Sequence, residues 1–184
     1  EEILEESSAA YNLKSIALRY FNPIGAHPTG EIGELPLGVP QNLVPFITQS
    51  AAGIRGALNV YGNDYPTPDG TPIRDYIHVV DLAQAHIIAL ERLLKNKNSS
   101  QMEIFNLGTG KGSSVLDVIK AFEKTSGEKL NYKIVGRRKG DITSAYADTN
   151  RAKEILKWES KKTLEDGLKD AWRWQKKIGQ GNPD

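Results

Sequence analysis

The sequence predicts an α/β fold, and three observations predict it. Short, mostly apolar runs of strand length alternate along the chain with amphipathic runs of helix length. Capping residues and Gly- or Pro-rich turns fall between these runs rather than inside them. The length, 184 residues, is enough for one domain with a real core or for a piece of a larger enzyme.

Each element follows in order. Glu1-Glu2-Ile3-Leu4-Glu5-Glu6 reads as the middle of a helix, because Ile3 and Leu4 sit among glutamates with no cap before them; the chain is expected to begin inside an element. Ser15–Tyr20 reads as a buried strand. Residues 21–41 form a long irregular stretch rich in Gly and Pro, and aperiodic segments of that length are usually functional or disordered. Residues 42–52 return to a helical pattern, with Pro45 tolerated in the first turn, where a missing N–H breaks no bond. Leu58–Tyr61 is a strand, 62–72 is turn-rich, and 74–79 alternates like a second strand. Asp81 is the expected N-cap of a helix over 82–95, with Leu82, Ala85, Ile88, Ala89 and Leu93 on one face. After the polar loop 96–101 comes a strand at Met102–Leu107. Ser113 or Ser114 then caps a helix that runs to Ser126 and ends at Gly127. A strand over 130–135 and a basic loop over 136–143 precede two helices, near 150–156 and 163–177. Thr163 and Asp166 form a capping box for the second. No internal repeat or linker divides the chain.

Composition narrows the function classes. The formal charge is +1, with 39% hydrophobic and 26% charged residues, so no nucleic-acid footprint is expected. There is no cysteine, hence no disulfide framework and no thiolate chemistry. No apolar run is long enough to span a bilayer as a helix, so no membrane partner is expected. His27 and His86 have no Cys or carboxylate at metal spacing, and no metal site is assigned.

Four segments carry candidate chemistry. Gly108-Thr109-Gly110-Lys111-Gly112 sits between a strand and a helix, where backbone N–H groups can cradle phosphate. Its third glycine comes one position early for a dinucleotide fingerprint, and the next strand ends in Arg137-Arg138 rather than an acid, which favours a plain structural turn. Arg137-Arg138-Lys139-Gly140-Asp141 pairs guanidiniums, which bind phosphate oxygens, with a carboxylate able to accept both hydroxyls of a ribose; on pattern alone a solvated surface turn is the favoured reading. Arg74, Tyr76 and His78 share one face of a strand. Arg74 is a phosphate ligand or the partner of Asp75 or Asp81, and His78 reads best as a hydrogen-bonded core histidine. Tyr20-Phe21-Asn22-Pro23 ends a strand where ligands bind in α/β sheets, and Asn22 offers both a donor and an acceptor.

Together these segments resemble UDP-galactose 4-epimerases. Tyr20-Phe21-Asn22-Pro23-Ile24-Gly25-Ala26-His27-Pro28, Asn42-Leu43-Val44-Pro45, Asn59-Val60-Tyr61-Gly62-Asn63-Asp64-Tyr65, Asp69-Gly70-Thr71, Arg74-Asp75-Tyr76-Ile77-His78-Val79, Asn106-Leu107-Gly108-Thr109-Gly110, Arg137-Arg138-Lys139-Gly140-Asp141 and Asp170-Ala171-Trp172-Arg173-Trp174-Gln175 all look like that family's signatures, in its order. The resemblance implies that residues 1–184 are the C-terminal, mainly substrate-binding portion of an extended short-chain dehydrogenase, with the last elements of its Rossmann domain. It places the NAD-binding domain, with the catalytic Tyr and Lys, outside this chain, so no catalytic residue is assigned here. By the same resemblance Arg74 and Arg138 bind the pyrophosphate and Asp141 the ribose. Asn59 and Tyr61 flank the uracil, with Tyr61 where the family usually has Phe. Asn22, Asn42 and Leu43 touch the phosphate or hexose, and Tyr20 and Phe21 lie on the nicotinamide side. Ala145 stands where some members carry a bulky Tyr beside the hexose, implying room for an N-acetyl group unless Tyr146 swings in. The implied activity is NAD-dependent interconversion of UDP-galactose and UDP-glucose by a cytoplasmic enzyme, a homodimer at full length. The alternatives are a UDP-N-acetylhexosamine 4-epimerase, a related nucleotide-sugar dehydratase or decarboxylase, a non-catalytic UDP-sugar-binding module, or a dinucleotide domain built on the glycine turn.

Overall fold

The computed structural model describes residues 1–180; positions 181–184 of the expected 1–184 span lie outside the described residues. The first half runs α1 (Glu2–Tyr11), β1 (Ser15–Tyr20), β2 (Asn22–Ile24), α2 (Leu43–Ala51), β3 (Leu58–Tyr61), β4 (Ile73–Arg74), β5 (Tyr76–His78) and α3 (Val79–Leu94). The second half runs β6 (Met102–Leu107), β7 (Ser113–Ser114), α4 (Val115–Ser126), β8 (Tyr132–Val135), β9 (Ser144–Ala145), a π-helical turn (Ala152–Leu156) and α5 (Leu164–Gln180). The α/β expectation holds, because strands from distant parts of the chain pair in parallel with helices between them. β1 pairs with β6, β2 with β5, and β3 with β8, all parallel. β4 lies between β7, antiparallel, and β9, parallel.

Two apolar clusters hold these pairs. The larger gathers Ile24, Val44, Ile47, Val60, Phe122, Leu168 and Trp172, so that α2, α4 and α5 close over β2 and β3. Phe122 meets Trp172 edge to face at 5.7 Å between centroids, the arrangement the ring quadrupoles prefer. The smaller cluster packs Ile77, Ala85, Phe105, Leu107 and Trp158 between α3, β6 and the π-helical turn. The capping signals read from the sequence are made: Ser114 and Asp117 form a full capping box on α4, Gly127 ends it at φ 78°, and Thr163 and Asp166 exchange bonds at the start of α5.

Several expectations change. β1 is half-buried rather than buried, with Arg19 and Tyr20 exposed at its end. The irregular stretch 21–41 contains β2 and a bridge between Ala26 and Gly33. The strand expected over 74–79 breaks at Asp75, whose carboxylate turns inward, and Val79 already belongs to α3. Asp81 does not cap α3. His78 does, accepting the Val80 N–H on Nδ1 at 3.0 Å. Asp81 instead lies buried in the first turn and accepts from Ser160 and from the backbone N–H groups of Lys161 and Lys162. The segment near 150–156 coils as a π-helical turn that ends at Lys157 in the left-handed region.

Candidate functional site

A cleft of about 550 Å³ opens where α2, β3, β4, β5 and the basic loop converge. Asn22, Asn42, Leu43, Asn59, Tyr61, Arg74, Arg138 and Asp141 all line it, although they come from five separated stretches of sequence. The first turn of α2 faces it. Asn42, the N-cap, makes no side-chain cap bond, so the opening amides of the helix are left to a ligand or water, and such amides favour anions. The Asn42 side chain is spent elsewhere, donating to Glu34 Oε1 at 3.1 Å.

Charge is concentrated on one side. Arg74 donates to the carbonyls of Ile73 and Ile142 at 2.8 and 2.9 Å, which fixes its guanidinium. Its Nη2 lies 3.5 Å from Asp141 Oδ1, and Arg138 Nε lies 3.7 Å from Asp141 Oδ2. One carboxylate between two guanidiniums leaves a surplus positive charge facing the cleft. Arg138 also lies over the Tyr61 ring at 4.7 Å. Gly140, at φ 88°, lets the loop reverse so that the Asp141 N–H reaches the Arg138 carbonyl. Arg137 points away and is held by Asp64, with Nε 2.7 Å from Oδ1, while stacked on Tyr65 at 4.0 Å. Asn59 Oδ1 is buried and has no partner among the described residues.

Behind the cleft Asp75 sets the frame. Its buried carboxylate accepts the N–H groups of Thr109 at 2.9 Å, Gly110 at 3.0 Å and Ala147 at 3.1 Å, and the Thr109 hydroxyl at 2.6 Å. The amides that would cradle a phosphate in the 108–112 turn are therefore occupied by the protein, and the turn is structural. A Cβ on Gly108 would collide with the Asp75 carboxylate. Because Asp75 faces backward, Arg74 and Tyr76 face the cleft. His78, expected on that same side, is buried against α5 instead, with Nε2 3.3 Å from Asp170 Oδ2. Burial, and then the Lys162 ammonium, hold its pKa below the ordinary histidine value, so it is a neutral core histidine.

Ala145, Tyr20 and Phe21, all expected at the site, are not among the lining residues. Ala145 pairs with Arg74 across the β4–β9 ladder and Tyr146 is exposed, and neither is among the residues that line the cleft. Tyr20 and Phe21 lie beyond it at the end of β1, with Tyr20 51% exposed and 6.3 Å from the His86 ring. Conversely, Val39, Pro40, Gln41, Phe46, Leu58, Pro72, Tyr76 and Val115 line the cleft without having been singled out for it. Phe46 could have been found one helical turn beyond Asn42. Tyr76 shares the Arg74 face by alternation, but the sequence assigns it no role there. The others carry no signal beyond ordinary apolar or loop residues.

The strand pairing and the cleft define an α/β protein with a charged binding site. The family model described as GDP-mannose 4,6 dehydratase matches residues 1–171, and the chain belongs to that family. It is 54% identical over 176 residues to a UDP-glucose 4-epimerase of Bacillus subtilis, covering 95% of this chain and 51% of that protein. It superposes on a UDP-glucose 4-epimerase of Bifidobacterium longum, solved in complex with NAD+ and UDP, at a TM-score of 0.91 and 43% identity, covering 98% of this chain and 53% of the other. The corresponding enzyme of Stenotrophomonas maltophila, solved with NAD and formylated UDP-arabinopyranose, gives 0.93 at 45% identity, with coverage of 98% and 53%. The chain thus spans about half the length of the relatives it matches.

Proposed function

We propose that this chain is the C-terminal, UDP-sugar-binding part of an NAD-dependent enzyme that interconverts UDP-galactose and UDP-glucose. The observation that carries the reading is the cleft, which brings the Arg74 and Arg138 guanidiniums, the Asp141 carboxylate, Asn59 and the Tyr61 ring onto one wall. Arg74 and Arg138 take the diphosphate, aided by the α2 amides at Leu43. Asp141 takes the ribose hydroxyls. Tyr61 and Asn59 take the uracil, and Asn22 and Asn42 face the hexose side.

The residues of this chain do not fit the dinucleotide itself, since the glycine turn is occupied by Asp75; beyond it only Tyr20 and Phe21 are assigned to the nicotinamide side. NAD is assigned to the rest of the parent enzyme, where it supplies reversible hydride acceptance. This chain grips the nucleotide and leaves the hexose free to turn over about its diphosphate tether. A full-length homodimer in the cytoplasm is part of the same proposal.

The test has two parts. The 184-residue chain is expected to bind UDP in calorimetry and to show no turnover alone. The full-length enzyme, assayed with UDP-galactose and UDP-N-acetylgalactosamine side by side, is expected to turn over the first. A chain indifferent to UDP, or a full-length enzyme inert toward UDP-galactose, would end this reading.

A further inference from the structure

Glu34 is exposed and lines none of the cleft, yet the fold fixes both its backbone and its side chain. On the backbone side, α5 clamps the stretch that carries it. The Trp174 indole donates Nε1–H to the Glu34 carbonyl at 2.9 Å. The same ring covers Gly33 so closely that a Cβ there would fall inside it. Arg173 donates to the Pro28 carbonyl, and the bridge between Ala26 and Gly33 closes the loop between these two anchors. On the side-chain side, Glu34 Oε1 accepts from Asn42 Nδ2 at 3.1 Å.

That bond decides which end of the Asn42 amide is left for the cleft. A carboxylate accepts and does not donate, so it selects the nitrogen of the amide. Asn42 Oδ1 then stands free: it makes no bond among the described residues, and it does not cap α2. Asn42 lines the cleft, so an acceptor without a protein partner borders the ligand. A sugar hydroxyl is the complementary donor. Without Glu34 the side chain is free to swing onto the opening amides of α2, where Asn is a favoured cap.

We infer that Glu34 is a positioning residue for sugar recognition: it holds the Asn42 amide with Oδ1 presented to a hydroxyl of the bound hexose. The inference rests on the reading of the cleft as a UDP-sugar site with Asn42 on its hexose side. Glu34 touches no ligand itself and acts through Asn42. Trp174 and Gly33 share in the same device, because the ring that covers Gly33 holds the backbone from which the carboxylate reaches.

The experiment compares the full-length enzyme with its Glu34→Ala and Glu34→Gln variants, in kcat/KM for UDP-galactose and in competitive inhibition by UDP, which has no hexose. Glu34→Ala is expected to lower kcat/KM about fivefold, the share of one neutral hydrogen bond, and to leave inhibition by UDP unchanged. Glu34→Gln keeps an acceptor of the same reach and is expected to recover most of the loss. An alanine variant as fast as the wild type overturns the inference. So does an equal loss toward UDP, which would make Glu34 a support of the whole cleft. A glutamine variant as slow as the alanine one overturns it too, because charge rather than geometry would then be the cause. A wild type inert toward UDP-galactose overturns the inference together with the reading it rests on, whereas an active wild type with an indifferent alanine variant overturns the inference alone.

Discussion

Asp75 and Asp141 both lie beside Arg74, and the chain treats them in opposite ways. Asp75 is fully buried and accepts four hydrogen bonds from Thr109, Gly110 and Ala147. Asp141 is partly exposed and has two guanidiniums at the loose distances of 3.5 and 3.7 Å. The first carboxylate is saturated by protein donors and has nothing left for a ligand. The second is underused and borders a cleft. Where donors and acceptors balance, a charged group builds the frame; where they do not, it waits for a partner.

The sharpest way to break this contrast is Asp75→Ala. It strands the N–H groups of Thr109, Gly110 and Ala147 and the Thr109 hydroxyl, and is expected to cost about 3–5 kcal/mol of stability, read by urea denaturation. A loss under about 1 kcal/mol would put Asp75 in the same class as Asp141.

Glu103 extends the saturated class and gives it a pH signature. Arg92 grips it at 2.7 and 2.9 Å, and the Ser99 N–H and hydroxyl complete its shell. The Arg92 hydrogen bonds, with those from Ser99, hold its carboxyl down from 4.5 to about 2 despite burial. A depressed carboxylate pKa stabilises the fold above the unfolded value, and that contribution is lost as pH falls from about 4.5 toward 2. Roughly 3 kcal/mol is at stake. Glu103→Gln should flatten the acid limb of a stability-versus-pH curve, and an unchanged limb would contradict the assignment.

On the underused side, Arg74→Ala should weaken UDP by on the order of 2 kcal/mol, as for loss of a charge-assisted contact. It should leave stability less affected than Asp75→Ala does. Unchanged affinity would take Arg74 out of the site. The smallest effect is expected from Arg137→Ala. Its ion pair with Asp64 is exposed and turned from the cleft, so both UDP affinity and stability should move by less than about 0.5 kcal/mol. A large loss of UDP affinity there would mean that the basic loop binds through both arginines.

Much of this was legible in the chain. Capping residues located α4 and α5 because caps are local: Ser114 with Asp117, and Thr163 with Asp166, lie three residues apart. Arg74 was marked as a possible anion ligand by its residue type. Its true partner, Asp141, was not legible, because that pairing spans 67 positions and depends on β4 meeting β9 in parallel. Asp81 looked like a cap because an Asp before an apolar run usually is one. It was recruited instead by the distant backbone N–H groups of Lys161 and Lys162, which offered more donors than a helix start. Ala145 pairs with Arg74 across the β4–β9 ladder, a placement that spans 71 positions of sequence and that spacing alone does not give.

What the sequence determined by itself is the alternation of elements, their caps, and the residue types able to hold phosphate, ribose and base. Those depend on spacing within a few residues and on the chemistry of single side chains. Only the tertiary structure decided which of these groups would be spent and which would be left free. That outcome depends on donors and acceptors far apart in the chain: Asp75 is consumed because the 108–112 turn and Ala147 come to meet it, while Asp141, on the cleft wall, is left with two guanidiniums at loose distances.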